Sequence, residues 1–224
     1  MRYRHIVPAR FRSRPNRFIA MVDVDGREVV AHVKNTGRCR ELLVPGAEIW
    51  LEESGNPARK TKYDLVAVKK GGLLINMDSQ APNAAAGEYL RRSRPDWNVR
   101  AEVKQGESRF DFCLTRGEER VFIEVKGVTL ERDGVVLFPD APTERGAKHL
   151  RELAELARQG VGAEILFVIQ FTGGRYFTPN RDTDPGFAEA LRAARDAGVK
   201  VRAVECRVTP ETMEIAEEVD VRIE

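Results

Sequence analysis

Two short runs of alternating apolar and polar residues, joined by a tight polar turn, constrain this chain most. In the first, Phe110, Phe112 and Leu114 alternate with Arg109, Asp111 and Cys113. In the second, Val121, Ile123 and Val125 alternate with Phe122, Glu124 and Lys126. A period of two is that of a β-strand with one face buried. Residues 115–119 contain Gly117 and read as a hairpin loop. A turn centred on Gly117-Glu118 sets Asp111 directly opposite Glu124, with Cβ atoms roughly 4.5–5.5 Å apart, where like charges repel. A divalent cation removes that repulsion, and two carboxylates supply the hard oxygen ligands that Mg²⁺ selects. Lys126 points to the same face, two residues on, where it can meet a phosphate or an attacking water.

An Asp followed by a strand ending in Glu-x-Lys resembles the PD-(D/E)xK nuclease signature. On that reading Asp111, Glu124 and Lys126 are the catalytic candidates. Asp111 and Glu124 would be the metal ligands, with Mg²⁺ as the cofactor, Mn²⁺ as a substitute and the Val125 carbonyl assisting. Glu88 or Glu102 is the candidate for a third ligand. The same spacing also fits a solvated polar face carrying a cross-strand ion pair, so the motif alone leaves both readings open.

A chain of 224 residues, 42% hydrophobic and 32% charged, has the composition of a globular protein of one large or two small domains. No apolar stretch follows Met1-Arg2-Tyr3-Arg4-His5, so no signal peptide is expected. The longest strongly apolar run, 163–171, is interrupted by Glu164 and too short to span a bilayer, so no membrane is expected as a partner. Cys39, Cys113 and Cys206 are odd in number, scattered and without a Cys-x-x-Cys pair. This argues against a disulfide framework or a zinc site and for a reduced cytoplasm. Residues 1–40 carry ten Arg or Lys against three Asp or Glu, a local charge of +7, whereas residues 205–224 reach −5. Such a gradient suits a polyanion approaching one end, and equally an ordinary solvated surface.

Residues 1–80 read as all-β. Runs 17–24 and 27–34 flank Asp25-Gly26, a strong hairpin signal. Run 47–52 follows Pro45-Gly46, and runs 62–69 and 73–78 flank Gly71-Gly72. Five short strands suit an OB-like barrel, an architecture that binds oligonucleotides. From residue 81 onward the pattern changes. Helices are predicted over 84–93, 145–159 and 187–197, and strands over 127–132, 135–138, 165–171 and 199–208 in addition to the hairpin. The expected fold class is therefore α/β (α+β), with an OB-like β-barrel over 1–80 and a restriction-endonuclease-like α/β domain over 81–224.

Several longer strings carry a resemblance that runs nearly end to end. They are Arg14-Pro15-Asn16-Arg17-Phe18, His32-Val33-Lys34-Asn35-Thr36-Gly37-Arg38, Leu43-Val44-Pro45-Gly46 and Arg59-Lys60-Thr61-Lys62-Tyr63. Further along come Ser108-Arg109-Phe110-Asp111-Phe112 with Glu102, Glu124 to Leu130, and the compositionally odd run from Phe138 to Leu150. Together they resemble the sugar fermentation stimulation protein A family. The resemblance implies an N-terminal OB-like domain, a C-terminal nuclease-like domain, and DNA binding linked to transcription regulation of sugar-utilisation genes. Gly127 stands where Asn is expected in many relatives, and Pro142 where Val is common.

Arg14, Arg17, Lys34, Arg38, Arg40, Arg59, Lys60 and Lys62 are the DNA-facing candidates on the β domain, and Arg145 and Lys148 near a helix start are those on the second. A helix N-terminus presents free N–H groups to phosphate, although Asp140 and Thr143 there also suit helix capping. His149 reads as a packed or surface residue and stays outside the catalytic set. Tyr63, Phe11 and Phe18 are stacking candidates, with the barrel core as their other reading. Nothing resembles a base-reading recognition helix, so weak sequence preference is expected. The functional expectation is a DNA-binding protein with a magnesium-dependent, nuclease-type site. The alternative is a non-enzymatic DNA-binding regulator with a vestigial site. A homodimer and a transcription-regulator partner are compatible with either.

Overall fold

The computed structural model describes residues 1–35 and 37–223. Six strands come first: β1 (Ile6–Asn16), β2 (Ile19–Val24), β3 (Arg27–Val33), β4 (Glu48–Glu53), β5 (Tyr63–Lys70) and β6 (Leu73–Asn76). They pair in the order β3-β2-β1-β4-β5-β6, and a parallel pairing of β3 with β5 closes the first five into a barrel. Asp25 and Gly26 both take positive φ at the β2–β3 turn, as the hairpin signal requires.

The expected OB-like barrel is therefore present, with one change of membership. The run over 73–78 forms β6, which extends the sheet; the fifth barrel strand is β1. Phe11 is the one fully buried side chain of β1, and Arg10 and Arg12 are exposed beside Pro8 and Pro15. A strand that buries so little carries almost no alternation to read.

The second half runs α1 (Ala81–Ser93), β7 (Asn98–Gln105), β8 (Ser108–Arg116), β9 (Glu119–Val128), β10 (Leu130–Arg132), β11 (Val135–Phe138) and α2 (Glu144–Arg158). It continues with β12 (Gly162–Ile169), β13 (Tyr176–Pro179), α3 (Pro185–Asp196), β14 (Lys200–Val208) and β15 (Met213–Val219). The main sheet has the order β15-β14-β12-β9-β8-β7, with β9, β12 and β14 parallel at its centre. A small sheet of β10, β11 and β13 sits beside it. β7 and β15 escape a sequence reading because they are edge strands, where charged residues replace the apolar alternation.

Both faces of the central strands are covered. Ile123 and Val125 pack in the cluster containing Ala85 and Leu90 of α1. Phe122 packs in the cluster containing Leu150 and Leu153 of α2 and Leu191 of α3. The expectation of one solvated face on β9 is thereby corrected: Glu124 is 3% exposed.

The barrel and the sheet domain are joined by a buried polar knot. Gln170, just past β12, donates from Nε2 to the Asn76 carbonyl, Asn76 Oδ1 and the Asp78 carbonyl, each at 3.1 Å. Asn76 N–H donates back to the Gln170 carbonyl at 2.9 Å. Asn76 Nδ2 donates to Tyr3 Oη at 2.9 Å, and Lys34 Nζ to Asp78 Oδ2 at 2.9 Å. Tyr3 itself is anchored to the far domain by donating its N–H to the Glu211 carbonyl. The crossover from barrel to α1 is therefore fixed against the carboxyl end of β12.

Helix α2 begins at a side-chain cap, with Thr143 Oγ1 accepting the Gly146 N–H at 3.1 Å. Thr143→Ala should lower unfolding stability by about 1 kcal/mol. The readout is a lower urea midpoint at unchanged slope; an unmoved midpoint would show that the cap contributes nothing.

Candidate functional site

The β8–β9 hairpin closes with Arg116 opposite Glu119, so its turn is Gly117-Glu118, and the register runs on to Phe112 opposite Ile123. Gly117 takes φ +58°, a left-handed conformation that glycine adopts without steric penalty. One step beyond the last pair, Asp111 falls opposite Glu124. The regular ladder stops there, and Val125 N–H donates to Asp111 Oδ2 at 2.8 Å. Asn83, in the first turn of α1, donates from Nδ2 to Asp111 Oδ1 at 2.8 Å. The neighbouring strand is distorted at the same level, since Glu102 of β7 sits at φ +57°. Phe110 joins the core beneath α2 and Phe112 the core beneath α1, so the simple alternation of β8 breaks at Asp111.

Glu124 projects beneath α2. Its Oε1 accepts from Lys126 Nζ at 2.7 Å and pairs with Nδ1 of His149. Its Oε2 is buried and has no hydrogen-bond partner among the described residues. Such an oxygen loses its hydration with nothing in exchange, a deficit of roughly 1–3 kcal/mol, more for a charged group.

The two carboxylates respond oppositely to this environment. Burial, reinforced by the Glu124 charge, pushes the Asp111 carboxyl above the ordinary aspartate range despite the bonds from Val125 and Asn83. Burial opposes the Glu124 charge as well. There, however, the His149 hydrogen bond and the Lys126 charge outweigh it and hold the carboxyl below its ordinary range.

His149 and Asn83 are the residues that sequence reasoning missed. His149 is packed, as read, and is also the partner of Glu124. Its signal was a histidine on the apolar stripe of α2 beside Ala147 and Leu150, because a buried ring nitrogen needs a partner. Asn83 left no comparable mark. The two candidates for a third ligand are engaged elsewhere: Glu88 pairs with the Met1 amine at 2.6 Å, and Glu102 with Arg109 at 3.4 Å.

The donor set still fits a hard cation. Asp111 and the unpartnered Oε2 of Glu124 offer carboxylate oxygens at one locus. Among the described residues no three His, Cys, Asp or Glu side chains gather to complete an all-protein cage. A two-carboxylate site whose remaining positions are waters is the form that Mg²⁺ takes most often.

Residues 13–77 match the SfsA N-terminal OB domain, and residues 80–212 match the sugar fermentation stimulation protein RE domain. The chain belongs to the sugar fermentation stimulation protein family. A homolog from Desulfitobacterium hafniense (strain DSM 10664 / DCB-2) is 50% identical, across 100% of this chain and 99% of that protein. One from Clostridium beijerinckii is 46% identical, across 99% of each. Among solved structures, Pyrococcus furiosus SfsA in complex with Ca²⁺ superposes with a TM-score of 0.90 at 29% identity, over 100% of this chain and 98% of that one.

The basic residues read as DNA-facing divide into two sets. Arg14 donates to the carbonyls of Arg17, Asn35, Gly37 and Arg38 at 2.7–2.9 Å. Arg59 forks onto Asp64 at 2.6 and 2.8 Å, and Lys34 bridges Asp64 and Asp78. These three brace the barrel. Arg17, Arg38, Lys60, Lys62, Arg145 and Lys148 are exposed, with Lys62 paired to Glu53 at 2.9 Å and Lys148 3.7 Å from Glu152. Arg17, Arg38 and Arg40 line a concavity of about 460 Å³ that reaches Ala141, ahead of α2. Of the stacking candidates, Phe11 is buried in the barrel and drops out, Tyr63 is half-buried, and Phe18 is 50% exposed beside Arg17.

Among the described residues no helix is long and apolar enough to cross a membrane. Cys39, Cys113 and Cys206 are free and buried.

The raised Asp111 carboxyl sets a pH dependence whose sign is fixed. Between the ordinary aspartate value and the raised one, the folded chain binds more protons than the unfolded chain, so stability falls as pH rises. Asp111→Asn removes this contribution. In chelator-containing buffer, the stability difference between variant and wild type should therefore move in the variant's favour as pH rises through that window. A difference independent of pH would show that Asp111 titrates normally.

Proposed function

We propose that this protein binds DNA with little sequence preference and hydrolyses its phosphodiester backbone at Asp111, Glu124 and Lys126, using Mg²⁺ or, in its place, Mn²⁺. The observation that carries the reading is the buried, unpartnered Oε2 of Glu124, the residue that faces Asp111 in the hairpin register. A carboxylate pair of that kind is unfavourable unless a cation joins it. The Ca²⁺ in the Pyrococcus furiosus relative supports a divalent ion in this fold. When bound, the cation supplies Lewis-acid polarisation of a phosphoryl oxygen and lowers the pKa of a water.

The chain's own groups do the rest. Asn83 and the Val125 N–H orient Asp111, while His149 holds Glu124 at Oε1 and leaves Oε2 free. Lys126 keeps an ammonium beside Glu124, where it can donate to a phosphate oxygen or orient a water as negative charge develops. The exposed Arg17, Arg38, Lys60, Lys62, Arg145 and Lys148 supply the phosphate contacts. A reduced cytoplasm, with free buried thiols, is the fitting location.

A second reading keeps DNA binding and drops catalysis: a regulator of sugar-utilisation genes with a vestigial site, working with a transcription-regulator partner or as a homodimer. The observation in its favour is that Lys126 already forms an ion pair with Glu124, whose same oxygen also pairs with His149 Nδ1.

Cleavage of single- and double-stranded DNA in Mg²⁺, Mn²⁺ or EDTA, beside Glu124→Ala and Lys126→Ala, separates the two. Nicking should require the metal, vanish in Glu124→Ala and fall roughly 10²-fold or more in Lys126→Ala. Metal-independent binding without nicking, equal in all three proteins, selects the regulator. The cation is tested without turnover by thermal unfolding. Saturating Mg²⁺ should raise wild-type stability by about 2.7 kcal/mol at a hundredfold excess over Kd. Glu124→Gln should abolish that gain.

A further inference from the structure

Three of the strings that set this chain apart in sequence converge on one small cavity. Asn35 comes from the barrel, Gly127 and Val128 from the end of β9, Thr129 and Leu130 from its junction with β10, and Phe138 with Asp140 from the segment leading to α2; Gln170 forms another wall. The cavity measures about 60 Å³ and opens at the carboxyl ends of β9 and β12, one residue beyond Lys126. Ligands of parallel sheets collect at such strand ends.

Its polar atoms are left unspent. Gln170 is 2% exposed and uses its Nε2 three times, while its Oε1 accepts nothing among the described residues. Thr129 is 9% exposed, and neither its hydroxyl nor the Asp140 carboxylate makes a hydrogen bond among the described residues. Gln170 and Thr129 are buried while Asp140 stands exposed at the rim; buried polar groups are normally paired, so the two unspent ones beside a cavity point to a missing partner.

Two glycines make the cavity possible. A Cβ at Gly127 would lie 2.6 Å from Gln170 Oε1 and from Pro82 Cγ, and one at Gly37 2.6 Å from Asp140 Oδ2. Gly37 lets the barrel loop approach the Asp140 segment, and Gly127 lets Gln170 and the start of α1 close on β9.

We infer that this cavity receives the edge of one unpaired nucleobase next to the phosphate at Lys126, and that it favours bases carrying an amino group. The inference rests on the DNA-binding reading above. The volume admits roughly four to six water molecules, which is room for the polar edge of a base and too little for a nucleotide. Asp140, Gln170 Oε1 and Thr129 present acceptors, which suit the N–H donors of cytosine, adenine or guanine. Thymine offers one ring N–H flanked by two carbonyls that those acceptors repel. A base still paired in a duplex has its donor edge occupied, so the cavity selects single strands.

The test is a binding titration in EDTA, at low salt. It compares a short oligothymidylate with the same strand carrying one central amino-bearing base, for wild type, Asp140→Ala and Thr129→Val. Wild type should prefer the substituted strand roughly tenfold, within the range of one good base contact. The ratio should fall towards one in Asp140→Ala and part of the way in Thr129→Val. Ratios, unlike absolute affinities, are insensitive to the general gain expected from removing a negative charge. No preference in wild type, or a preference unchanged in both variants, overturns the base subsite and leaves DNA binding standing. Failure of wild type to bind either strand overturns the DNA reading and the subsite with it.

Discussion

Gln170 leaves the end of β12 with its amide nitrogen shared among three oxygens of the crossover between barrel and sheet domain, all out of water. Such a donor has no solvent to fall back on, so the barrel can occupy only the position that satisfies it. From that fixed crossover α1 starts at a set place. Its first turn delivers Pro82 against Gly127 and Asn83 onto Asp111. The geometry of the carboxylate pair is thus dictated from the seam between the two halves, some way from the hairpin that carries the pair.

The centre so positioned works against the stability of the fold around it. Glu124 is a buried charge with one oxygen fully compensated and the other bare, and Asp111 is driven towards its neutral form by burial and, next, by that same charge. A hydrophobic pair at these two positions would pack more favourably. The sheet tolerates the arrangement because Phe122, Ile123 and Val125 bury apolar surface on both sides of β9. Local consistency fails at Asp111, where β8 loses its alternation and Glu102 is forced to positive φ, and functional sites are where such failures concentrate.

Much of this was legible in the chain. The hairpin turn at Gly117-Glu118, the facing of Asp111 and Glu124, and the start of α2 follow from period and turn chemistry, which are local. What stayed hidden depends on contacts between distant segments. β1 buries only Phe11 deeply, so nothing marks it as a barrel strand until β2 and β4 flank it. Asn83 acquires its role only when α1 lies over the hairpin, and His149 only when α2 lies beneath it. The solvated face expected for Glu124 was an error of layer count: a half-buried pattern was read where helices cover both sides. Lys34 and Arg59 looked available because their acceptors, Asp64 and Asp78, are remote from Lys34 in sequence or lie on a neighbouring strand.

Arg14 shows what that last point means for the surface. Its Nη1 and Nη2 are spent on four backbone carbonyls, tying Arg17 to Asn35, Gly37 and Arg38. A cation used this way still contributes to the long-range field, but its one unspent donor, Nε, is buried and out of reach of a polyanion's oxygens. On the DNA-binding reading proposed above, a nucleic acid would therefore shed fewer counterions than the excess of arginines and lysines in residues 1–40 suggests. What the clamp provides instead is rigidity: the neighbouring Arg38 and Arg40 stand on a loop whose backbone is already ordered, so little conformational entropy remains to be lost when an anion arrives.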